Sequence, residues 1–510
     1  PSAASATGSA RRSQDDVIPA CGLQTLAFVA TAVWWLPVMG AALLVWRLNQ
    51  ACSARRAALL AWCYGTAWLL AGVWWLFISL HRYGGLPAWL AALAVFLLAA
   101  ALSLYMALAG GLYRRWRRGH AGLDALLFAA LWLLTELART LIFTGFPWVA
   151  SGYALVDAPL AALAPWVGVY GMGALLAFAA AVLGNLAQVP PGRRWLVVAA
   201  VVSGLVLPGL AGPVGFTAPA GTISVSLLQS NVAQDEKFAA ARMPEALDWM
   251  ARALTGARGE LVVAPETAVP LLPGQLADFA PGYWDALRAH FARESQSALI
   301  GVPFGDFDRG YTNSVAGLSK GADYRYDKMH LVPFGEFIPT GFRWFTELMN
   351  IPLGDFTRGV PNPPSFAVRG QRVAPNICYE DLFGDELARR FGDAASAPTL
   401  FANVSNIGWF GDTIAIAQHL NISRLRTLEF QRPMLRATNT GATAIIDHRG
   451  VVTAQLPPHT RGVLEGRVEG RTGITPFAWW SARFGLWPLV WLAATLTAML
   501  ALTAGRRRPA

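Results

Sequence analysis

The hydrophobic pattern changes character part-way along this chain. Apolar runs of membrane-spanning length recur at about 56–80, 88–112, 122–145, 159–187 and 195–212, and another lies at about 484–504. Each is close to the roughly 20 residues that a bilayer core requires. The stretch 17–46 is too long for one such helix and is interrupted at Trp34-Trp35-Leu36-Pro37, so it divides into a short helix at about 17–32 and a second at about 33–48. Between 219 and 480 the apolar runs shorten. Thr222-Ile-Ser-Val-Ser-Leu-Leu, Glu260-Leu-Val-Val-Ala, Ser297-Ala-Leu-Ile-Gly-Val, Thr399-Leu-Phe-Ala-Asn-Val and Ala442-Thr-Ala-Ile-Ile-Asp read as strands, while 239–255, 282–294 and 413–430 have helical periodicity. The expectation is a polytopic α-helical membrane protein with eight transmembrane helices, carrying a layered α/β domain.

Charge orients these parts. Only 14% of the 510 residues are charged, against about 25% in a typical soluble chain. The net charge of +10 could suggest nucleic acid, yet residues 1–218 hold 13 Arg against 5 acids, whereas 219–505 hold 25 basic and 26 acidic groups. The excess sits in short connections beside apolar runs, which excludes a phosphate-binding groove and fits the positive-inside rule. Arg11-Arg12, Arg55-Arg56, the run from Arg114 to Arg118, Arg193-Arg194 and Arg506 to Arg508 fall in alternate connections and are read as cytoplasmic. The domain reading is a disordered segment 1–16, seven spans in 17–212, an extracytoplasmic domain at 219–480, an eighth span at 484–504 and a basic cytoplasmic tail at 505–510. Asp15 and Asp16 stand where a cleavable export signal would carry positive charge. Glu136 and Arg139, spaced i, i+3 inside a span, read as a mutual ion pair, and the Trp34-Trp35 and Trp74-Trp75 clusters as interfacial belts.

Chemistry is sparse. Cys21, Cys52 and Cys63 lie in or beside spans, and Cys378 alone belongs to the exported domain, where a lone thiol is either buried or used. Arg outnumbers Lys 38 to 3, so a retained lysine points to a Lys-specific role; Lys237 and Lys320 read as ordinary surface amines, which leaves Lys328. Three segments end apolar β-like runs: Val262-Val-Ala-Pro-Glu266, Tyr326-Asp-Lys328-Met-His-Leu-Val-Pro-Phe-Gly-Glu336 and Pro375-Asn-Ile-Cys378-Tyr-Glu380. A carboxylate, an ammonium and a thiol suffice for covalent acyl transfer. Glu266 moves the proton, Cys378 attacks as thiolate, and Lys328 lowers the thiol pKa and stabilises the oxyanion. The seven His lack ligand spacing, so neither a metal nor another cofactor is expected.

In this order and with these flanks, the three segments resemble the Glu-Lys-Cys set of the nitrilase (carbon-nitrogen hydrolase) superfamily over about 220–470. Adding the spans, Thr135-Glu-Leu-Ala-Arg-Thr, Gly145-Phe-Pro-Trp148, Trp409-Phe-Gly and Arg432-Pro-Met-Leu-Arg-Ala-Thr-Asn-Thr-Gly441, the chain resembles that superfamily's membrane-integrated branch, the apolipoprotein N-acyltransferases. The resemblance implies an αββα sandwich, with catalytic Glu266, Lys328 and Cys378. Glu336 would be a second essential glutamate that keeps Lys328 charged and oriented. Tyr379 and Glu380 would shape the nucleophile's pocket, the Tyr379 N–H completing an oxyanion hole. It also implies a bacterial inner-membrane monomer with a periplasmic catalytic domain and cytoplasmic termini, a phospholipid acyl donor, a diacylglyceryl apolipoprotein acceptor, and no nucleic-acid partner. One departure is Ile407, where the family usually has Asp after the Asn. A membrane-tethered amidase or nitrile hydrolase would use the same triad with water as acceptor, and a non-enzymatic scaffold is the reading from another class; an acyl thioester trapped on Cys378 discriminates.

Overall fold

A computed structural model describes residues 22–339, 341 and 355–505. It divides into two compact units. One comprises Ala88–Val214 with the described residues before Ile78 and after Gly485; the other comprises Ile78–Pro87 and Gly215–Gly485.

In the first unit, seven helices among the described residues are long and apolar enough to cross a membrane: Thr31–Gln50, Ala54–Val73, Ala88–Trp116, Ala121–Thr144, Pro159–Gly184, Pro191–Ala211 and Trp487–Ala504. Of the short helix expected at 17–32, residues 17–21 lie outside the described residues, and the rest forms the brief 3-10 turns Gln24–Phe28 and Thr31–Val33. Polar side chains hold that segment: Gln24 Oε1 accepts from the Tyr64 hydroxyl at 2.6 Å, and Thr31 donates to Asp157. The span Ala88–Trp116 is interrupted at Ser103, whose hydroxyl donates back to the Ala99 carbonyl at 2.7 Å. Helices approach closely where side chains are small, as at Gly184, where a Cβ would come within 2.6 Å of the Ala42 carbonyl oxygen. Glu136 and Arg139 are both buried; Glu136 Oε1 accepts the Ser151 N–H at 2.6 Å, and the Arg139 guanidinium lies 5.5 Å from the Trp68 ring centre. Of the Trp74-Trp75 pair, Trp74 is exposed and Trp75 is buried against Trp148.

The second unit holds two six-stranded sheets. In chain order the strands are β1 (Thr217–Gln229), β2 (Leu261–Val263), β3 (Ser297–Asp306), β4 (Gly310–Leu318), β5 (Tyr324–Asp327), β6 (Phe366–Val368), β7 (Gln371–Ile377), β8 (Leu400–Ser405), β9 (Met434–Thr438), β10 (Ala444–Ile446), β11 (Val452–Gln455) and β12 (Gly462–Gly473). The sheet orders are β12-β1-β2-β3-β4-β5 and β11-β10-β9-β8-β7-β6. Each has a parallel centre, β1-β2-β3 in one and β7-β8-β9 in the other, flanked by antiparallel neighbours.

Parallel strands covered on both faces are apolar on both, which explains the nearly continuous apolar runs. Facing each other across the sandwich are Val225, Leu227, Leu261, Val263 and Leu299 of one sheet and Val373, Ile377, Ala402, Val404 and Leu435 of the other. Each large aliphatic side chain so buried contributes about 1.5–3 kcal/mol. The alternate residues Val262, Ala298 and Ile300 pack under the helices Met243–Gly256 and Tyr283–Arg293. On the far side Phe401, Met434 and Ile446 pack against Phe391, Phe430 and Phe477. The layers are therefore helix, sheet, sheet, helix.

Candidate active site

Three strand ends converge on one point. Glu266 follows β2, in a turn pressed against β3: a Cβ at Gly301 would fall 2.2 Å from the Pro265 carbonyl oxygen, so only glycine lets the turn approach. Lys328 follows β5, with its N–H donating to Asn313 O at 2.8 Å and its carbonyl accepting from Gly359 N at 2.9 Å. Cys378 follows β7 with φ +51°, a left-handed conformation unusual for a residue with a Cβ and stored at about 1–2 kcal/mol. That sharp turn begins the 3-10 helix Cys378–Leu382.

The Lys328 ammonium, 1% exposed, lies 2.9 Å from Glu336 Oε1 and 3.6 Å from Glu266 Oε1. Asn313 on β4 donates through Nδ2 to both carboxylates at 2.7 Å, holding together two negative charges that would otherwise repel. The remaining oxygens take backbone donors: Asn406 N to Glu266 Oε2, and Val332 N to Glu336 Oε2, each at 2.8 Å. Burial alone would lower the Lys328 amine; Glu336 and then Glu266 outweigh it and hold the amine above its ordinary value. The ammonium stays charged in a nearly dry site.

Cys378 does not rest as the expected thiolate. Burial pushes the thiol well up, Glu266 adds to the effect, and the opposing pull of Lys328 is too weak to reverse it. The reason is that the charge of Lys328 is already neutralised by two carboxylates.

Tyr379 is buried, its ring 5.2 Å from that of Phe383, on the residue directly after the nucleophile. Glu380 ties the Lys328 and Cys378 loops together. Its Oε1 accepts from Met329 N at 2.7 Å and His330 N at 3.1 Å, and its Oε2 from the Tyr326 hydroxyl at 2.6 Å and Ile377 N at 2.7 Å. Beneath the nucleophile lies a buried polar group: His419 Nε2 is 2.9 Å from Asp381 Oδ1, Arg436 Nη2 is 3.1 Å from His419 Nδ1, and Ser423 donates to Asp381. His419 thus bridges the Asp381 carboxylate and the Arg436 guanidinium through its two ring nitrogens. The main-chain carbonyl of Cys378 also accepts from Asn403 Nδ2 at 3.2 Å.

Lys237, read from sequence as a surface amine, is buried and donates to the Glu266 carbonyl at 3.0 Å. The run after β1 folds inward because Gln234 and Lys237 both serve the Glu266 turn; nothing in the local pattern announces this. Asn313, Asn406, His419 and Arg436 were also missed; the available signal was a charged side chain in the middle of an apolar strand, as at Arg436 in β9. Ile407 is buried, with its Cγ2 within 2.6 Å of where a Cβ at Gly441 would lie, and the neighbouring turn is capped instead by Asn406, whose side chain accepts from Gly408 N. Among the described residues no group of His, Cys, Asp and Glu is disposed to hold a metal ion.

The family signature for the apolipoprotein N-acyltransferase N-terminal domain matches residues 20–182, and that for carbon-nitrogen hydrolases matches 225–475. An apolipoprotein N-acyltransferase of Verminephrobacter eiseniae is 54% identical over 479 residues, covering 89% of each chain. The chain belongs to the apolipoprotein N-acyltransferase family. Two further members agree: that of Ralstonia nicotianae is 46% identical, covering 95% of this chain and 92% of its own, and that of Bordetella bronchiseptica is 42% identical over 90% of each. In this acyltransferase the two-sheet unit, with Cys378 at the end of β7, falls within the carbon-nitrogen hydrolase match, and the chain also carries apolar helices of membrane-crossing length.

Proposed function

We propose that this protein moves a fatty acyl chain from a phospholipid to the N-terminal amine of a diacylglyceryl apolipoprotein, by way of a thioester on Cys378. The observation that carries the reading is the meeting of Glu266, Lys328 and Glu336, with Lys328 within 3.6 Å of both carboxylates, at a site electrostatically coupled to Cys378. Because the thiol rests protonated, its proton must leave as it attacks. Glu266 takes that proton while sulfur bonds to the ester carbonyl carbon, and the carbonyl electron pair moves onto oxygen beside Lys328 and the Tyr379 backbone. Collapse expels the lysophospholipid oxygen, which takes the proton back from Glu266. In the second half-reaction Glu266 deprotonates the acceptor amine, the amine attacks the thioester, and sulfur leaves as the re-formed thiol. Glu336 keeps Lys328 charged and fixed throughout, and Glu380 sets the spacing of the Lys328 and Cys378 loops.

Both substrates carry acyl chains, so a catalytic unit tethered by spans on either side, 17–212 and 484–504, keeps the site beside the bilayer. The alternation of Arg-rich connections supports cytoplasmic termini and a catalytic unit on the periplasmic side of the inner membrane. The test supplies a phosphatidylethanolamine donor and a diacylglyceryl peptide. N-acylated peptide and lysophospholipid in equal amounts are expected; release of free fatty acid with no acylated peptide would make the protein a hydrolase.

A further inference from the structure

Lys237 takes no part in the steps above, yet two strands of contact lead from its segment to Glu266. Gln234 Oε1 accepts from Asn406 Nδ2 at 2.7 Å, and Asn406 N donates to the Glu266 carboxylate. Lys237 itself donates to the Glu266 carbonyl at 3.0 Å, and among the described residues that carbonyl is its hydrogen-bond partner and no carboxylate pairs with it. An ammonium offers three donors and is costly to remove from water, so a lysine kept only for its length would be better replaced by Met. The acids beside it in sequence are engaged elsewhere, Asp235 with Arg82 at 3.0 Å and Glu236 with Arg242 at 3.9 Å. The charged or titratable groups it feels across the site are Glu266 and Cys378, with Lys328 beyond, 3.6 Å from the Glu266 carboxylate.

We propose that Lys237 is a positioning residue for acyl transfer, a second cation that balances the negative charge developing on Cys378 and on the tetrahedral intermediate. Once Glu266 has taken the thiol proton, Lys328 keeps Glu336 as its carboxylate partner, and the negative charge on sulfur or oxygen is shared between Lys328 and Lys237, the latter with no carboxylate paired to it among the described residues. Burial, partly offset by Glu266 and Cys378, brings the Lys237 ammonium down to about 8. It is therefore charged at neutral pH and loses that charge as pH rises through 8. The inference rests on the roles given above to Glu266 and Cys378.

The test uses the full chain with Cys21, Cys52 and Cys63 changed to Ala, and reads the pH midpoint for alkylation of Cys378 by iodoacetamide. Lys237→Met removes charge and donor; Lys237→Gln removes the charge and keeps a donor. Both are expected to raise the midpoint by about one unit or more and to slow single-turnover thioester formation at neutral pH by about tenfold or more. Lys237→Met should melt no lower than the parent. A parental midpoint in Lys237→Gln, or in both variants, overturns the proposal, since positioning of the Glu266 carbonyl alone would then account for the residue. If the uncharged variants do not accumulate, Lys237→Arg carries the test: a midpoint at or below the parent's supports the proposal, and a raised one overturns it. Alkylation needs no acyl donor, so a failure of the acyl-transfer reading would leave the midpoint shift intact and separable.

Discussion

Lys328 donates to Glu336 Oε1 at 2.9 Å, with both side chains buried. The pair fixes the ammonium on the side of Glu266, and it has an electrostatic consequence for the nucleophile, because Glu336 is one of the carboxylates that push the Cys378 thiol up.

Glu336→Gln is therefore expected to act in two directions. Removing this negative charge should lower the alkylation midpoint of Cys378 by about one unit. Acyl transfer should nevertheless slow by about tenfold or more, because Lys328 loses its orienting partner. Midpoints measured by iodoacetamide, beside single-turnover rates, check both; a raised midpoint would contradict the assignment.

Glu380 collects four donors from two stretches of chain, 326–330 and Ile377, so its role is to hold the site together. Glu380→Ala should cost about 3 kcal/mol or more, because several buried N–H groups lose their acceptor, whereas Tyr326→Phe should cost only about 1 kcal/mol. Thermal unfolding of the two variants distinguishes them. Equal melting temperatures would show that the clamp carries little stability.

Asp381 gives a pH dependence with a defined sign. Burial raises its carboxyl, but His419 and Arg436 outweigh that and hold it below its usual 3.8. A carboxylate lowered on folding stabilises the protein above its unfolded pKa, and that stability is lost as pH falls through the lower folded value. The parent should lose stability steeply below about pH 4, and Asp381→Asn should flatten that acid limb while being less stable at neutral pH. An acid limb unchanged in Asp381→Asn would place its origin elsewhere.

How far the sequence carried depends on the range of each signal. The strand-like runs at 222–228, 260–264, 297–302, 399–404 and 442–447 fall on β1, β2, β3, β8 and β10: the first four belong to the parallel centres and are apolar on both faces, and β10, though antiparallel, is buried throughout. Glu266 and Cys378 were visible as reactive types at the ends of buried strands, whereas Lys328 follows the mixed antiparallel edge strand β5 and stood out through the scarcity of lysine in the chain. Their second layer was not: Asn313 meets Glu266 across 47 residues, and Asn406 meets it across 140. Lys237 was misread because an amine's burial is decided by the fold around it, and its segment has no periodicity of its own. The upward shift of the Cys378 thiol was not legible because it comes first from burial and then from Glu266, which together outweigh the pull of Lys328 and depend on the folded site. The described part of the segment expected at 17–32 shows the converse, an apolar composition that forms short 3-10 turns, with Gln24 and Thr31 engaged by side-chain hydrogen bonds.

The central claim is that the acyl chain passes through Cys378. The direct measurement is the intact mass of the purified protein after exposure to phosphatidylethanolamine without acceptor, followed by peptide mapping. An adduct of one fatty acyl chain on Cys378, removable by hydroxylamine, discharged by a diacylglyceryl peptide and missing in Cys378→Ala, is the expected result. Acylated peptide formed by Cys378→Ala, or an adduct that maps to another residue, would contradict the mechanism.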